Sequence, residues 1–210
     1  LKAMHRLIMT SSAYRMSSVA KPRELAADPR NDSIWRFEMR RLGAEEVRDS
    51  ILAANGTLNL EMGGPGIYPP MPEEILETAS RPDQAWGRSS PEQAARRSVY
   101  IFVKRSLVSP MLTAFDLADT DLSCPVRFTT TQPTQALTML NSDFINGQAA
   151  LLAERIHAEA PDDDIERIRH GVTCVLRRPA LEAEVADGLR RLAELRDDGL
   201  LCFRDTLGAL

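Results

Sequence analysis

Arg96, Arg97, Lys104 and Arg105 flank an apolar and aromatic run, Val99–Val103. Guanidinium forks at that spacing can grip a carboxylate, a phosphate or a sulfated sugar through paired hydrogen bonds. The same cations are explained more simply as solvated flanks, or as partners of Asp116, Asp119 and Asp121 downstream. A second candidate is the polar segment Thr129-Thr-Thr-Gln-Pro-Thr-Gln135. Its hydroxyls and amides, Thr130, Gln132 and Gln135 among them, can hydrogen-bond a sugar or peptide, or satisfy backbone at a crowded junction. The turn Gly63-Gly-Pro-Gly66 would offer amides to an anion, but no Lys-Ser/Thr follows and Pro65 removes a donor. It reads as a plain turn.

Thiol and metal chemistry find less support. Cys124 precedes Pro125 in a polar loop, and a nucleophilic thiol there needs a base such as His5, His157 or His170, none of them near in sequence. Cys124, Cys174 and Cys202 are scattered and odd in number, so at most one bridge can form. The acidic run Asp162–Asp164 lacks the alternating oxygen ligands and glycine of a calcium loop, and helix capping accounts for it. No zinc, haem-attachment or metalloprotease spacing occurs, and no cofactor is expected in this chain.

The elements that would position these residues are mostly helices. Leu1, Met4, Leu7 and Ile8 recur at helical spacing, and Ser17–Asn31, with Pro22 and Pro29, reads as a connection. Ala44–Ala54 repeats apolar residues behind Glu45 and Glu46 and ends at Asn55-Gly56, a helix with both ends marked. Pro72–Ala79 reads as a short helix, Ser90-Pro-Glu-Gln93 as a capping box opening another, and Ser109-Pro110 as the start of a third. Val99–Val103 is the best strand candidate, with Val126–Thr131 as its partner. From Pro133 onward four helices follow: Pro133–Leu140, one from Asp143, one capped by Asp162–Asp164, and one after Pro179 carrying Leu181, Val185, Leu189, Leu192 and Leu195. Their short connections favour antiparallel packing.

The expected fold is therefore mainly α: a helical bundle-like domain with a small two-stranded β element and long irregular loops. Residues 1–142 form the helical core with its β element, and residues 143–210 the C-terminal antiparallel helices on the same domain. With 210 residues, 43% of them hydrophobic, the chain can bury a core, and a formal charge of −4 gives no global field for nucleic acid. No apolar stretch has a membrane-spanning length. The start, without Met or a signal segment, reads as the middle of a longer protein.

Several segments carry a family resemblance when taken in order. They are Leu1-Lys-Ala-Met-His-Arg-Leu-Ile-Met-Thr-Ser, Trp35-Arg-Phe-Glu-Met-Arg-Arg-Leu-Gly-Ala-Glu, Met62-Gly-Gly-Pro, Arg97-Ser-Val-Tyr-Ile-Phe-Val-Lys-Arg-Ser, Phe115-Asp116, Ser123-Cys124 to Arg127, and Gln135-Ala-Leu-Thr-Met-Leu-Asn141. Together they resemble the planctomycete C-terminal domain of unknown function, the PSD family. That domain follows another uncharacterised domain and often a cytochrome c-like domain. The resemblance implies an exported, extracytoplasmic multidomain bacterial protein, with neighbouring domains of the same polypeptide as partners. Carbohydrate is a further candidate partner. It singles out Arg97, Lys104, Arg105, Asp116, Cys124, Arg127, Gln135 and Asn141, without assigning any of them a catalytic role. Ala180-Leu-Glu-Ala replaces the family's Thr-Pro-Glu-Glu helix start, a poorer cap, and Leu200–Leu210 departs from its closing segment.

The reading that follows is a binding or docking module. One alternative is a polysaccharide hydrolase using Asp116 as acid or base with Arg97 or Arg105 holding an anionic group. Another is an accessory to electron transfer by a neighbouring haem domain.

Overall fold

The computed structural model describes residues 1–160 and 163–197. Asp162, Cys202 and the divergent segment Leu200–Leu210 lie outside the described residues. The chain divides into two compact units, Leu1–Leu42 and the residues from Gly43 on.

The first unit holds α1 (Lys2–Thr10) and α2 (Pro22–Ala27). The expected connection over Ser17–Asn31 therefore contains a helix. Pro22 occupies its first position after an extended Lys21, and Glu24 lies in its first turn, a combination that pre-sets φ and suits the positive helix end. Side chains organise the loop that follows. Asp28 accepts from the amides of Asp32 and Ser33, and Asn31 from those of Trp35 and Arg36. The Trp35 indole donates back to Asp28 O at 3.2 Å.

The second unit is built around α3 (Ala44–Ala54), whose bounds coincide with those read from the sequence. Glu46 accepts from the Gly43 amide at 2.8 Å, and Gly56 closes the helix with φ 82°, the left-handed turn that glycine adopts without strain. Short helices follow: α4 (Glu73–Glu77), α5 (Pro82–Ala85), α6 (Pro91–Ala94) and α7 (Pro110–Ala114). Pro72 caps α4 rather than opening it. The Ser90 hydroxyl accepts from Gln93 N as expected, while the Gln93 side chain turns to Glu61. The chain continues through α8 (Pro133–Asn141), α9 (Asp143–Glu159), α10 (Asp164–Leu176) and α11 (Glu182–Asp197). α10 packs on both α9 and α11, and α9, α10 and α7 pack on α3. A Cβ on Gly188 would stand 3.0 Å from Ile168, so the glycine permits the close approach of α11 to α10.

The two-stranded β element is absent. Ser98–Tyr100 is a turn of 3-10 helix, and only isolated bridges flank it: Asn59 with Arg96, Ile67 with Ile101 and Lys104 with Leu107. Among the described residues no sheet forms. Val99 and Val103 are exposed, so this β-branched run lacks the buried face that makes a strand favourable. The intended partner is tied down elsewhere. Arg127 pairs with Glu45 of α3 at 2.7 Å, and Thr130 bonds Asp116.

The start of α11 compensates for its weak capping sequence. Leu181 offers no side-chain acceptor, but Glu184, three residues on, accepts from the Leu181 amide at 2.9 Å, the returning half of a capping box. Arg178 grips the same carboxylate through both Nη atoms. The Arg178 guanidinium and the Leu181 amide together draw the Glu184 carboxyl down to about 2. A carboxyl depressed in the folded state stabilises it above the unfolded-state value, and that contribution disappears as pH falls through the folded value. Glu184→Gln will therefore lower the melting temperature at pH 6, and the gap to wild type will close as pH falls from about 4.5 toward about 2. Parallel melts at both ends of that range check this; an equal gap throughout contradicts it.

Candidate binding site

A concavity in the second unit has a volume of about 820 Å³. Four short stretches build it. α8 contributes Thr134, Leu137, Thr138 and Asn141, the i, i+3, i+4, i+7 positions of one helical face. The start of α9 adds Ser142, Asp143, Phe144 and Gly147, and the start of α7 adds Pro110, Met111 and Leu112. The Pro69–Pro72 run, fixed in φ and without donors of its own except at Met71, forms the opposite wall with Trp86. Trp86 is held by its indole N–H, which donates to Pro69 O at 2.8 Å, and by edge contact with Tyr68 at 5.4 Å.

The one cation in the described lining comes from α3. Arg48 lines the cavity, is only 4% exposed, and lies over the Phe144 ring at 5.6 Å. Its Nη1 donates to Arg96 O and Ser98 Oγ, both at 3.1 Å, and its Nη2 to Ala94 O. The nearest carboxylate, Asp49, stands 3.8 Å from Nη1 and is engaged by the Ser98 amide and hydroxyl at 2.8 and 2.6 Å. Burial pushes the Arg48 guanidinium below its ordinary value, and Asp49 opposes that shift.

Arg96 forms a second buried centre, 1% exposed. It is not the solvated flank its sequence setting implies. Its Nη atoms donate to the carbonyls of Glu61, Gly63 and Pro65, and its guanidinium stacks on Tyr100 at 4.2 Å. The glycine turn thus receives a cation on its carbonyls instead of offering amides to an anion. Gly63, at φ 83°, sends its one N–H to the Tyr100 hydroxyl at 3.0 Å.

The residues singled out from the sequence fall into separate places. Arg97 meets the Tyr100 hydroxyl at 3.5 Å. Lys104 donates to Ala85 O at 2.6 Å beside a smaller hollow of about 160 Å³. Arg105 is exposed, 3.6 Å from Asp121. Asp116, at φ 62°, receives the Thr130 amide and hydroxyl at 2.7 and 2.8 Å on its two oxygens. Gln135, buried, donates to Thr130 O and accepts from Gln132 N, so Asp116, Thr130, Gln132 and Gln135 do come together, as a fastener between α7 and α8. Of the whole set only Asn141 lines the large cavity, joined by Thr134 of the Thr129–Gln135 segment. Arg48, Trp86 and Phe144 were not singled out; the Pro69-Pro-Met-Pro72 run was the available signal of a rigid wall.

Cys124 is exposed and free, its thiol toward Val126 O. The cysteine that meets a histidine is Cys174, buried and free, 3.5 Å from His170 Nε2. That same nitrogen lies 2.6 Å from Glu159, and one nitrogen cannot both take a thiol proton and be oriented by a carboxylate, which requires the two ring nitrogens. Asp163 caps α10 through Ile165 N at 2.9 Å. Among the described residues no group of three or more His, Cys, Asp or Glu is placed to hold a metal, and no helix is long and apolar enough to cross a membrane.

The family model of PSD1, a protein of unknown function (DUF1553), matches residues 1–192. The chain belongs to the PSD1 family. Comparison with curated proteins and with solved structures gives no match. In this PSD1 chain, then, the geometry itself must carry any functional assignment.

The Gly63 amide, aided by Arg97, holds the Tyr100 hydroxyl below the usual tyrosine value, against a smaller opposing effect of burial. In an absorbance titration of phenolate, a first phase below the usual tyrosine value will be lost in Tyr100→Phe. A variant curve with that first phase intact contradicts the arrangement.

Proposed function

We propose that this PSD1 domain is a binding module, with the cavity among α7, α8, α9 and the Pro69–Pro72 wall as its site. The observation that carries the reading is a concavity of about 820 Å³ whose walls expose more apolar than polar surface, the size of a small-molecule or peptide-segment site. The hydrolase alternative lacks a comparable observation: Arg97, Arg105 and Asp116 do not line the cavity, and both Asp116 oxygens accept from Thr130.

The family segments support a setting in a larger, exported planctomycete protein, beside another uncharacterised domain and a cytochrome c-like one. Docking to such neighbours is the second role we propose. The feature favouring it is α1, whose Met4, Leu7 and Ile8 share one face and are all more than half exposed. Electron-transfer support would follow from that docking rather than from any group held here.

The cavity reading is tested with N-phenyl-1-naphthylamine, a neutral aromatic probe, following Trp86 emission in a Trp35→Phe background. Saturable quenching is expected. Gly147→Leu will weaken it at least about tenfold, roughly 1.4 kcal/mol, because a side chain there enters the cavity and meets no atom within 4 Å of its Cβ. Leucine also favours the helix over glycine, so α9 is retained. Non-saturable quenching, or equal affinity in the leucine variant, overturns the reading.

A further inference from the structure

The cavity has a polar end, and its charge specifies a ligand class; the inference rests on the binding reading above. Of the five N–H donors of a guanidinium, Arg48 commits three, to Ala94 O, Arg96 O and Ser98 Oγ. Two remain. All three acceptors are neutral, and Asp49, the nearest anion at 3.8 Å, is itself engaged by Ser98. The cation is thus removed from water with its charge only partly balanced, a condition that a second anion relieves.

The start of α9 opens on the same space. α9 runs for 17 residues, and Ser142, which ends α8 as well as starting α9, makes no side-chain cap hydrogen bond. The first-turn residues Asp143 and Phe144 line the cavity. An uncapped helix start presents free amide donors, while the end of α8 and the Asp143 carboxylate oppose its partial positive charge. Two acids also line the space, Glu74 and Asp143, but both are exposed, and water and salt screen exposed charges far more than a buried one. The buried guanidinium therefore sets the sign at the inner end, while Met111, Leu112, Leu137 and Trp86 supply apolar wall beside the neutral polar groups Thr134, Thr138 and Asn141.

We infer that the cavity binds an amphipathic anion: an apolar, drug-sized body carrying one carboxylate or sulfonate, the charged group placed between Arg48 and the start of α9. The apolar body gains from burial on the prolines, Trp86 and Phe144. The charged group takes the two uncommitted N–H donors and the α9 amides.

A matched pair of probes tests this on the whole chain. 8-Anilino-1-naphthalenesulfonate has the ring system of N-phenyl-1-naphthylamine plus one sulfonate. The sulfonate probe should bind at least about tenfold tighter than the neutral one, and Gly147→Leu should weaken both. Asp143→Asn, which removes a lining acid without touching Arg48, should tighten the sulfonate severalfold and leave the amine unchanged. Arg48→Met, if its circular dichroism matches wild type, should bring the two affinities together. Equal affinities in wild type, or tighter binding of the neutral probe, overturn the anion assignment while leaving a cavity that binds. Saturable binding of neither probe overturns the binding reading itself.

Discussion

Buried cations donating to backbone carbonyls hold the irregular stretch between α3 and α7 together. Between the end of α3 and the start of α7 the chain makes only short helical turns and isolated bridges, so no ladder or long helix satisfies its carbonyl groups. Unpaired buried carbonyls are costly, and a guanidinium, with five donors and no acceptor, can satisfy several at once. Arg96, itself buried, takes the carbonyls of the exposed turn residues Glu61, Gly63 and Pro65, and Arg48 takes those of Ala94 and Arg96. Lys104 and Arg155, both half-buried, add bonds to Ala85 O and Ala54 O. Hydrogen bonds from charged donors contribute about 1.5–3 kcal/mol each, enough for a few of them to fix a loop.

This constraint connects the fold to the site. Arg96 orders the Glu61–Pro65 turn, Ile67 then exchanges hydrogen bonds with Tyr100 and Phe102, and Tyr68 packs on Trp86. The proline wall and Trp86 of the cavity thus depend on a cation buried outside it. Arg48 acts more directly, bonding Ala94 and Arg96 and lining the cavity as well. The polar residues between α7 and α8 work in parallel. Asp116, Thr130 and Gln135 fasten the loop that delivers α8, so their chemistry is used up in placing the helix whose Leu137 and Asn141 face the cavity.

How much of this the sequence discloses depends on the range of each interaction. Most helices of the second unit are legible because caps and periodic apolar positions are local: α3 matches residue for residue, α8 starts at its proline, and α9 through α11 follow their stripes, whereas the four-residue α5 carries no such signal. α2 was obscured by the prolines around it, one of which turned out to start it. The strand assignment failed because β-branched composition reports suitability for a half-buried surface, and the fold gives Val99 and Val103 none. Arg48 was invisible for a different reason. It sits in an ordinary polar stretch, Glu-Glu-Val-Arg-Asp, and its partners lie 46 to 50 residues away. Arg96 and Arg97 are adjacent basic residues that both meet Tyr100, yet only Arg96 is buried and donates to the carbonyls of the glycine turn, a difference that only tertiary contacts set.

The claim that buried guanidiniums organise this region is tested most directly by native-state hydrogen exchange in Arg96→Met. The amides of Ile67 and Phe102, which bond Tyr100 O and Ile67 O at 2.8 and 2.9 Å, report on the irregular segment, and those of α10 and α11 serve as an internal reference. The account predicts strong protection of Ile67 and Phe102 in wild type, lost in the variant while α10 and α11 stay protected. Protection of Ile67 and Phe102 that survives the loss of Arg96 would contradict it.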